Sequence, residues 1–359
     1  MPDPSPLSSR DCDALFAPLA AFTHVLVAVS GGVDSTLLLF ALCRWARQGT
    51  EPLSATKSNF RSKSRLSSTQ VRPRLSVACV DHGLRPEARH EALSVKAYAQ
   101  ELGCNCTILR WRGEKPQTAL QEKARAMRHA LLRAHAIKIG AQAIVMAHHA
   151  DDQAETLLMR MASGSGPEGL SGMRPQTLRD GVALVRPFLQ IEKARLVATA
   201  HAEHLTWHED PSNQQPRFTR VRLRHLETLR QAVGLTSARF TRLAQRMAMH
   251  QEALDWMVDQ YWPRLCTLDQ GVVVLQSTLW DVPVALQLKI LAKAWACLQP
   301  QTQLRLERLE ALQVVLQGWV QAQHSGRRTL GGCLVSLSKD GIVRITGEGT
   351  RRRGRSNVG

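Results

Sequence analysis

Two short segments concentrate the residues able to do chemistry. The first is Ser30-Gly31-Gly32-Val33-Asp34-Ser35. Glycines let a backbone approach an anion closely, and the hydroxyls of Ser30 and Ser35 can donate to phosphate oxygens. Asp34 is out of place in an anion cradle unless a cation lies between it and the ligand, which makes it a candidate Mg²⁺ ligand. The second segment is His148-His149-Ala150-Asp151-Asp152-Gln153-Ala154-Glu155-Thr156. Two histidines and three acids are costly in a core and dense for a chance surface. Asp152 could reach the same metal as Asp34. The string alone also admits zinc, but hard carboxylates with retained waters suit Mg²⁺ on a pyrophosphate better. Gln121 and Glu122 stand three to four residues before Arg125, and Arg128 three after it, so the four largely share a helix face, which suits either a solvated salt-bridged face or part of a site.

The elements around these segments follow from periodicity. Val25 to Val29 is a fully apolar run of strand length, and Thr36 to Trp45 reads as a helix. Strand, glycine turn and helix together make a phosphate site, with free amides and a partial positive charge at the helix N-terminus. No Gly-Lys-Ser/Thr closes the turn, so it is not a Walker A loop. Further strands are expected at 76–80, 106–109, 143–147 and 182–185, and helices at 88–102, 118–139 and 192–205. This alternation predicts an α/β fold with a doubly wound, five-stranded parallel sheet. Loops at the carboxyl ends of its strands line a crevice. Asp81-His82-Gly83-Leu84-Arg85 and the two-histidine segment should therefore lie beside the glycine turn, with the glycine-rich loop 164–173 near the mouth.

From about residue 221 the pattern becomes mainly helical (221–233, 237–261, 284–296, 303–317). A strand candidate lies at 271–275, and 325–332 reads as a basic connection. A short β-hairpin follows at 333–337 and 342–345, with Asp340-Gly341 as its turn signal. The expected organisation is a nucleotide domain over 1–215, a helical region over 216–320, a small β element over 321–349 and a basic tail over 350–359. Residues 50–74, rich in serine and basic side chains, are expected to be a disordered insertion.

Lys and Arg number 47 against 30 Asp and Glu, a net charge of +17. That suits a polyanionic partner, since each neutralised phosphate releases counterions, although a basic proteome alone could give it. No run of 18 apolar residues and no signal peptide is present, which points to the cytoplasm and away from membranes. The eight cysteines have no repeated spacing and read as reduced thiols.

Ser30–Ser35 resembles the PP-loop of the N-type ATP pyrophosphatases, which cleave ATP between its α- and β-phosphates. With VDHGLR at 80–85, QExAR at 121–125, AHHxDDxAET at 147–156, GSGxxGLxGM at 164–173, RPF with Lys193, and EDPSN at 209–213, the chain resembles the tRNA(Ile)-lysidine synthetase family. It departs from the family's usual pattern at His129, where an aromatic residue is common, and at Val221, in place of an asparagine. The resemblance implies an adenine nucleotide alpha hydrolase-like fold, ATP and Mg²⁺ as cofactors, and two substrates: an isoleucine tRNA with a CAU anticodon, and free L-lysine. It implies adenylation of C2 of the wobble cytidine and displacement of AMP by lysine, which changes decoding from AUG to AUA. By position Ser30, Gly31, Gly32, Val33, Asp34 and Ser35 would cradle the phosphates. Asp152, with Asp151 and His148, would hold metal or steer the reacting groups, and Arg125 would stabilise developing negative charge. Arg220, Arg222 and Arg224 would contact tRNA. Two rival readings are a tRNA thiolase of the same superfamily and a non-catalytic RNA-binding protein. The oligomeric state is open, a homodimer included.

Overall fold

The computed structural model describes residues 4–48, 72–84, 87–113, 115–116, 118, 120–208, 230, 232–300 and 304–348. They form two compact units, one of residues 1–160 with 172–244, the other of 161–171 with 245–359.

The first unit is built on strands β1 (His24–Ala28), β2 (Arg74–Asp81), β3 (Asn105–Arg110), β4 (Ala143–Val145), β5 (Gln176–Arg179) and β6 (Val182–Val185). Their order is β3-β2-β1-β4-β6-β5. The five expected strands pair in parallel, with Val25 opposite both Leu75 and Ala143. The edge strand β5 was not expected. It pairs antiparallel with β6 across Asp180-Gly181, both at positive φ. Gln176-Thr177-Leu178-Arg179 has too little apolar character to announce a strand, and the Asp-Gly turn is what pins it.

Alternation along β1 divides the core. Val25 and Val27 face one cluster, which takes residues from helices α1 (Ser9–Phe16), α2 (Val33–Gln48), α3 (Ala88–Glu101) and α7 (Lys193–Ala202). Leu26 faces the other, with Leu132 and Ala136 of α4 (Leu120–Lys138). Helices thus cover both faces, as a parallel sheet requires. Helix α5 (Ala150–Ala162) follows β4, and the short α6 (Pro167–Leu170) lies in the glycine-rich loop. Arg74 opens β2, and Arg72 stacks over Trp45 at 3.8 Å. Both belong to the ordered domain, although composition had grouped them with the insertion; residues 49–71 lie outside the described residues.

Helix α8 (Ser237–Leu265) begins in the first unit and continues into the second. There β7 (Cys266–Asp269), β8 (Val272–Leu275), β9 (Gly326–Leu330), β10 (Cys333–Leu337) and β11 (Val343–Gly347) form an antiparallel sheet ordered β7-β8-β11-β10-β9. The expected hairpin is its β10–β11 pair. The segment read as a basic connection supplies the edge strand β9. Helices α9 (Val284–Leu298) and α10 (Leu306–Gln321) pack on this sheet through Ile290, Trp295, Leu312 and Leu316. The helix expected at 221–233 falls mostly outside the described residues. No helix among the described residues is long and apolar enough to cross a membrane.

Candidate functional site

Strand order fixes where the site must be. From β1 the sheet grows through β2 to β3 on one side and through β4 to β6 on the other, so the reversal lies between β1 and β4. The carboxyl ends of two strands flanking such a reversal open a crevice. The glycine turn leaves β1 and the two-histidine segment leaves β4 at that point.

The turn is braced from within. Gly31 has φ +89°, a conformation that side chains resist, and a Cβ there would lie 3.3 Å from Val95 Cγ2. The Ser35 hydroxyl donates to Gly32 O at 3.0 Å and accepts from Ser30 N–H at 3.1 Å. Ser35 is buried and holds the turn's shape, whereas Ser30 is exposed and its hydroxyl lies 3.1 Å from that of Ser35. Gly32, Val33 and Asp34 are half-buried, the last two in the first turn of α2. The Gly31 carbonyl accepts His208 N–H at 2.9 Å, which ties the chain after α7 to the turn.

Asp152 is the third residue of α5 and reaches back to accept His149 N–H at 3.1 Å, half of a capping box. That bond sets the geometry of the acidic side. His149, 3% exposed, sits between three carboxylates: its Nε2 is 3.6 Å from Asp34 Oδ2 and 3.5 Å from Asp152 Oδ2, and its Nδ1 is 3.6 Å from Asp151 Oδ2. Burial disfavours its charged form, but Asp151, Asp34 and Asp152 outweigh burial and push its pKa up to about 10. Asp151 is raised by burial and lowered by His149, the Ser237 hydroxyl and Lys193 N–H, with the lowering dominant, so it is ionised.

His148, the preceding residue, has the opposite surroundings. Burial lowers its pKa, and Arg125, Arg186 and Arg128 add to that against the pull of Asp152, so its ring is neutral. His129 of α4 is pushed down to about 4 by burial and by Arg128, Arg125, Arg186 and Arg179. Arg186, directly after β6 and 9% exposed, donates to Arg174 O at 2.7 Å; burial and Arg179 bring it down to about 10. A carboxylate pole and a guanidinium pole therefore flank the segment after β4.

The donor set can be tested against a metal. Asp34 Oδ1 is buried and accepts no hydrogen bond, a state that a cation or water would relieve. Among the described residues no three His, Cys, Asp or Glu side chains form a metal-ligating group. Two carboxylates completed by water and phosphate oxygens fit Mg²⁺, whereas zinc's closed set is not assembled.

Residues 5–229 match the model of the PP-loop domain family. Over 370 aligned residues the chain is 36% identical to a tRNA(Ile)-lysidine synthase from a Bradyrhizobium species, with 98% of each chain covered. It is 42% identical over 336 residues to one from a Methylobacterium species, covering 92% of this chain and 90% of the relative. The chain belongs to the tRNA(Ile)-lysidine synthase family. Among solved structures, a tRNA thiolase from Methanococcus maripaludis shares the fold, with a TM-score of 0.53, 16% identity, and 67% of this chain and 78% of that one covered.

In this lysidine synthase relative the structure brings Asp34 and Asp152 together on one imidazole, with Asp151 behind it. Arg125 and His148 belong to the guanidinium pole. Asp81 closes its own loop by accepting Gly83 N–H at 2.9 Å. Arg85, residues 209–213, Val221 and the candidate tRNA contacts Arg220, Arg222 and Arg224 lie outside the described residues. Sequence reasoning chose His148 and passed over His149, although the segment held both. The capping bond from Asp152 was the available signal, because it fixes the residue three before it at the helix start. The contact between Asp151 and Ser237, 86 residues apart, left no signal.

Proposed function

We propose that this protein joins free lysine to C2 of the wobble cytidine of an isoleucine tRNA with a CAU anticodon. The C2 oxygen attacks the α-phosphorus of ATP and pyrophosphate leaves; the amine of lysine then attacks C2 and AMP leaves, giving lysidine. Adenylation converts a poor leaving oxygen into a good one. The observation that carries this reading is the convergence of Asp34 and Asp152 on His149 beside the glycine turn, at the reversal of strand order.

Ser30, Gly31, Gly32, Val33 and the start of α2 would hold the phosphates, with Ser35 keeping the turn in shape. Asp34 and Asp152 would hold Mg²⁺, which when bound neutralises the departing pyrophosphate. Arg125, supported by Arg128 and Arg186, would face negative charge developing on the transferred group. His148, neutral among these cations, can accept or donate a hydrogen bond without adding charge. Arg220, Arg222, Arg224, Arg327 and Arg328 would supply phosphate contacts beyond the anticodon, which is shared with methionine tRNA and so cannot alone select the substrate. The reaction belongs to the cytoplasm, where ATP, lysine and tRNA meet.

The test combines purified protein, ATP, isoleucine tRNA with a CAU anticodon and labelled lysine. Label should enter tRNA only with all components present. Pyrophosphate release without lysine incorporation would point to another nucleophile displacing AMP, such as the sulfur that a thiolase uses. RNA binding without ATP turnover would leave the non-catalytic reading.

A further inference from the structure

The acidic pole is held by a contact from a distant part of the chain. Ser237, the first residue of α8 and 5% exposed, donates its hydroxyl hydrogen to Asp151 Oδ1. The other oxygen of Asp151 accepts Lys193 N–H, at the start of α7, at 2.8 Å and lies 3.6 Å from His149 Nδ1. Both oxygens are thus committed, and Asp151 orients its neighbours rather than offering an open ligand. Nor does the Ser237 hydroxyl cap its own helix, because Thr236 Oγ1 accepts Arg239 N–H at 3.3 Å and fills that role. The contact is also set by packing: Phe240 and Ala244 of α8 form a small core with Ala154 and Leu157 of α5.

We propose that Ser237 is a positioning residue for the Asp34–Asp152 carboxylate pair, acting through Asp151 and His149; this rests on the reading of that pair as the phosphate-activating centre. The hydroxyl fixes the rotation of the Asp151 carboxylate, that carboxylate lies in ion-pair contact with the imidazole Nδ1 at 3.6 Å, and the ring's Nε2 lies in the same kind of contact with both aspartates, at 3.6 and 3.5 Å. Carboxylate–histidine pairs orient the groups beyond them in this way, and small misplacements at reacting groups cost large factors in rate.

The test compares Ser237→Ala and Ser237→Thr in the full chain. Pyrophosphate formation from ATP and tRNA should fall about 10- to 100-fold in kcat for the alanine variant, with KM for ATP within about twofold. Threonine, which keeps the hydroxyl, should restore kcat to within about threefold. A readout independent of turnover is the ring-nitrogen NMR spectrum without substrate, in which Ser237→Ala should shift the Nδ1 signal of His149, identified through His149→Gln. If the alanine variant does not fold, Ser237→Cys, a poor donor of similar size, should show the same loss of kcat. Unchanged kcat per folded molecule, an unmoved His149 signal, or threonine as slow as alanine would each overturn the proposal. If the wild type forms pyrophosphate but no lysidine, the substrate assignment fails while the comparison at Ser237 still stands.

Discussion

Adjacent histidines, His148 half-buried and His149 buried, follow the same strand, yet their surroundings have opposite sign. Three carboxylates hold the second ring charged, while burial and neighbouring guanidinium groups keep the first neutral. The two residues stand in the connection between β4 and the first residue of α5, where successive side chains need not share a face. In the adenylation proposed above, one strand end would then serve two purposes. The carboxylate pole would attract the cation that accompanies pyrophosphate, and the guanidinium pole would attract anions directly.

The contrast can be broken first at its acidic pole. Asp34→Asn or Asp152→Asn should lower lysidine formation by at least about 10³-fold, because each would remove a carboxylate proposed to meet the phosphate-bound cation, yet tRNA affinity should stay within about twofold. Filter binding alongside the lysine-incorporation assay checks both. At the basic pole Arg125→Ala should cost about 10²-fold in kcat, and Arg125→Lys should recover part of it, since a point charge replaces the planar guanidinium. Equal losses in KM and kcat at both poles would mean that the division of labour is wrong.

Much of this arrangement is legible in the sequence. The five parallel strands announce themselves as β-branched runs ending in glycine or polar turns, and the α/β alternation fixes which ends share a crevice. That logic places Asp34 beside Asp152 without coordinates. The edge strand β5 and the strand at Gly326–Leu330 were missed because edge strands need no apolar face; pairing with β6 and β10 defines them. His149 was missed because residue type cannot separate two adjacent histidines, and Ser237 because its partner lies 86 residues away. The first unit runs to Ala244, where Phe240 and Ala244 complete a core with α5 that no local pattern announces.

A smaller effect should appear in the second unit. Arg327 and Arg328 on β9 are exposed. Arg327→Gln with Arg328→Gln should weaken tRNA binding several-fold and reduce the slope of log affinity against log salt by about 2, with the ATP KM unchanged. An unaltered slope would remove this strand from the tRNA surface.

The smallest effect sharpens the basic pole. His129 is pushed down to about 4 by burial and by Arg128, Arg125, Arg186 and Arg179, against an unfolded value near 6.5. The unfolded chain therefore binds more protons between those values, so stability falls as pH drops from about 6.5 and levels off near 4. His129→Phe should make that loss shallower while changing the Tm at pH 7 by only a few degrees. Thermal melts from pH 4 to 8 check it, and parallel curves would show that His129 does not sense the guanidinium cluster.

If the carboxylate pair serves the first half-reaction, adenylation must fail without it. The direct measurement incubates the wild type and Asp152→Asn with tRNA and α-phosphate-labelled ATP in the absence of lysine, then follows label on tRNA. Wild type should accumulate adenylated tRNA with release of pyrophosphate, and Asp152→Asn should form none while still binding tRNA. Adenylated tRNA at the wild-type rate in Asp152→Asn, with failure only when lysine is added, would contradict the account.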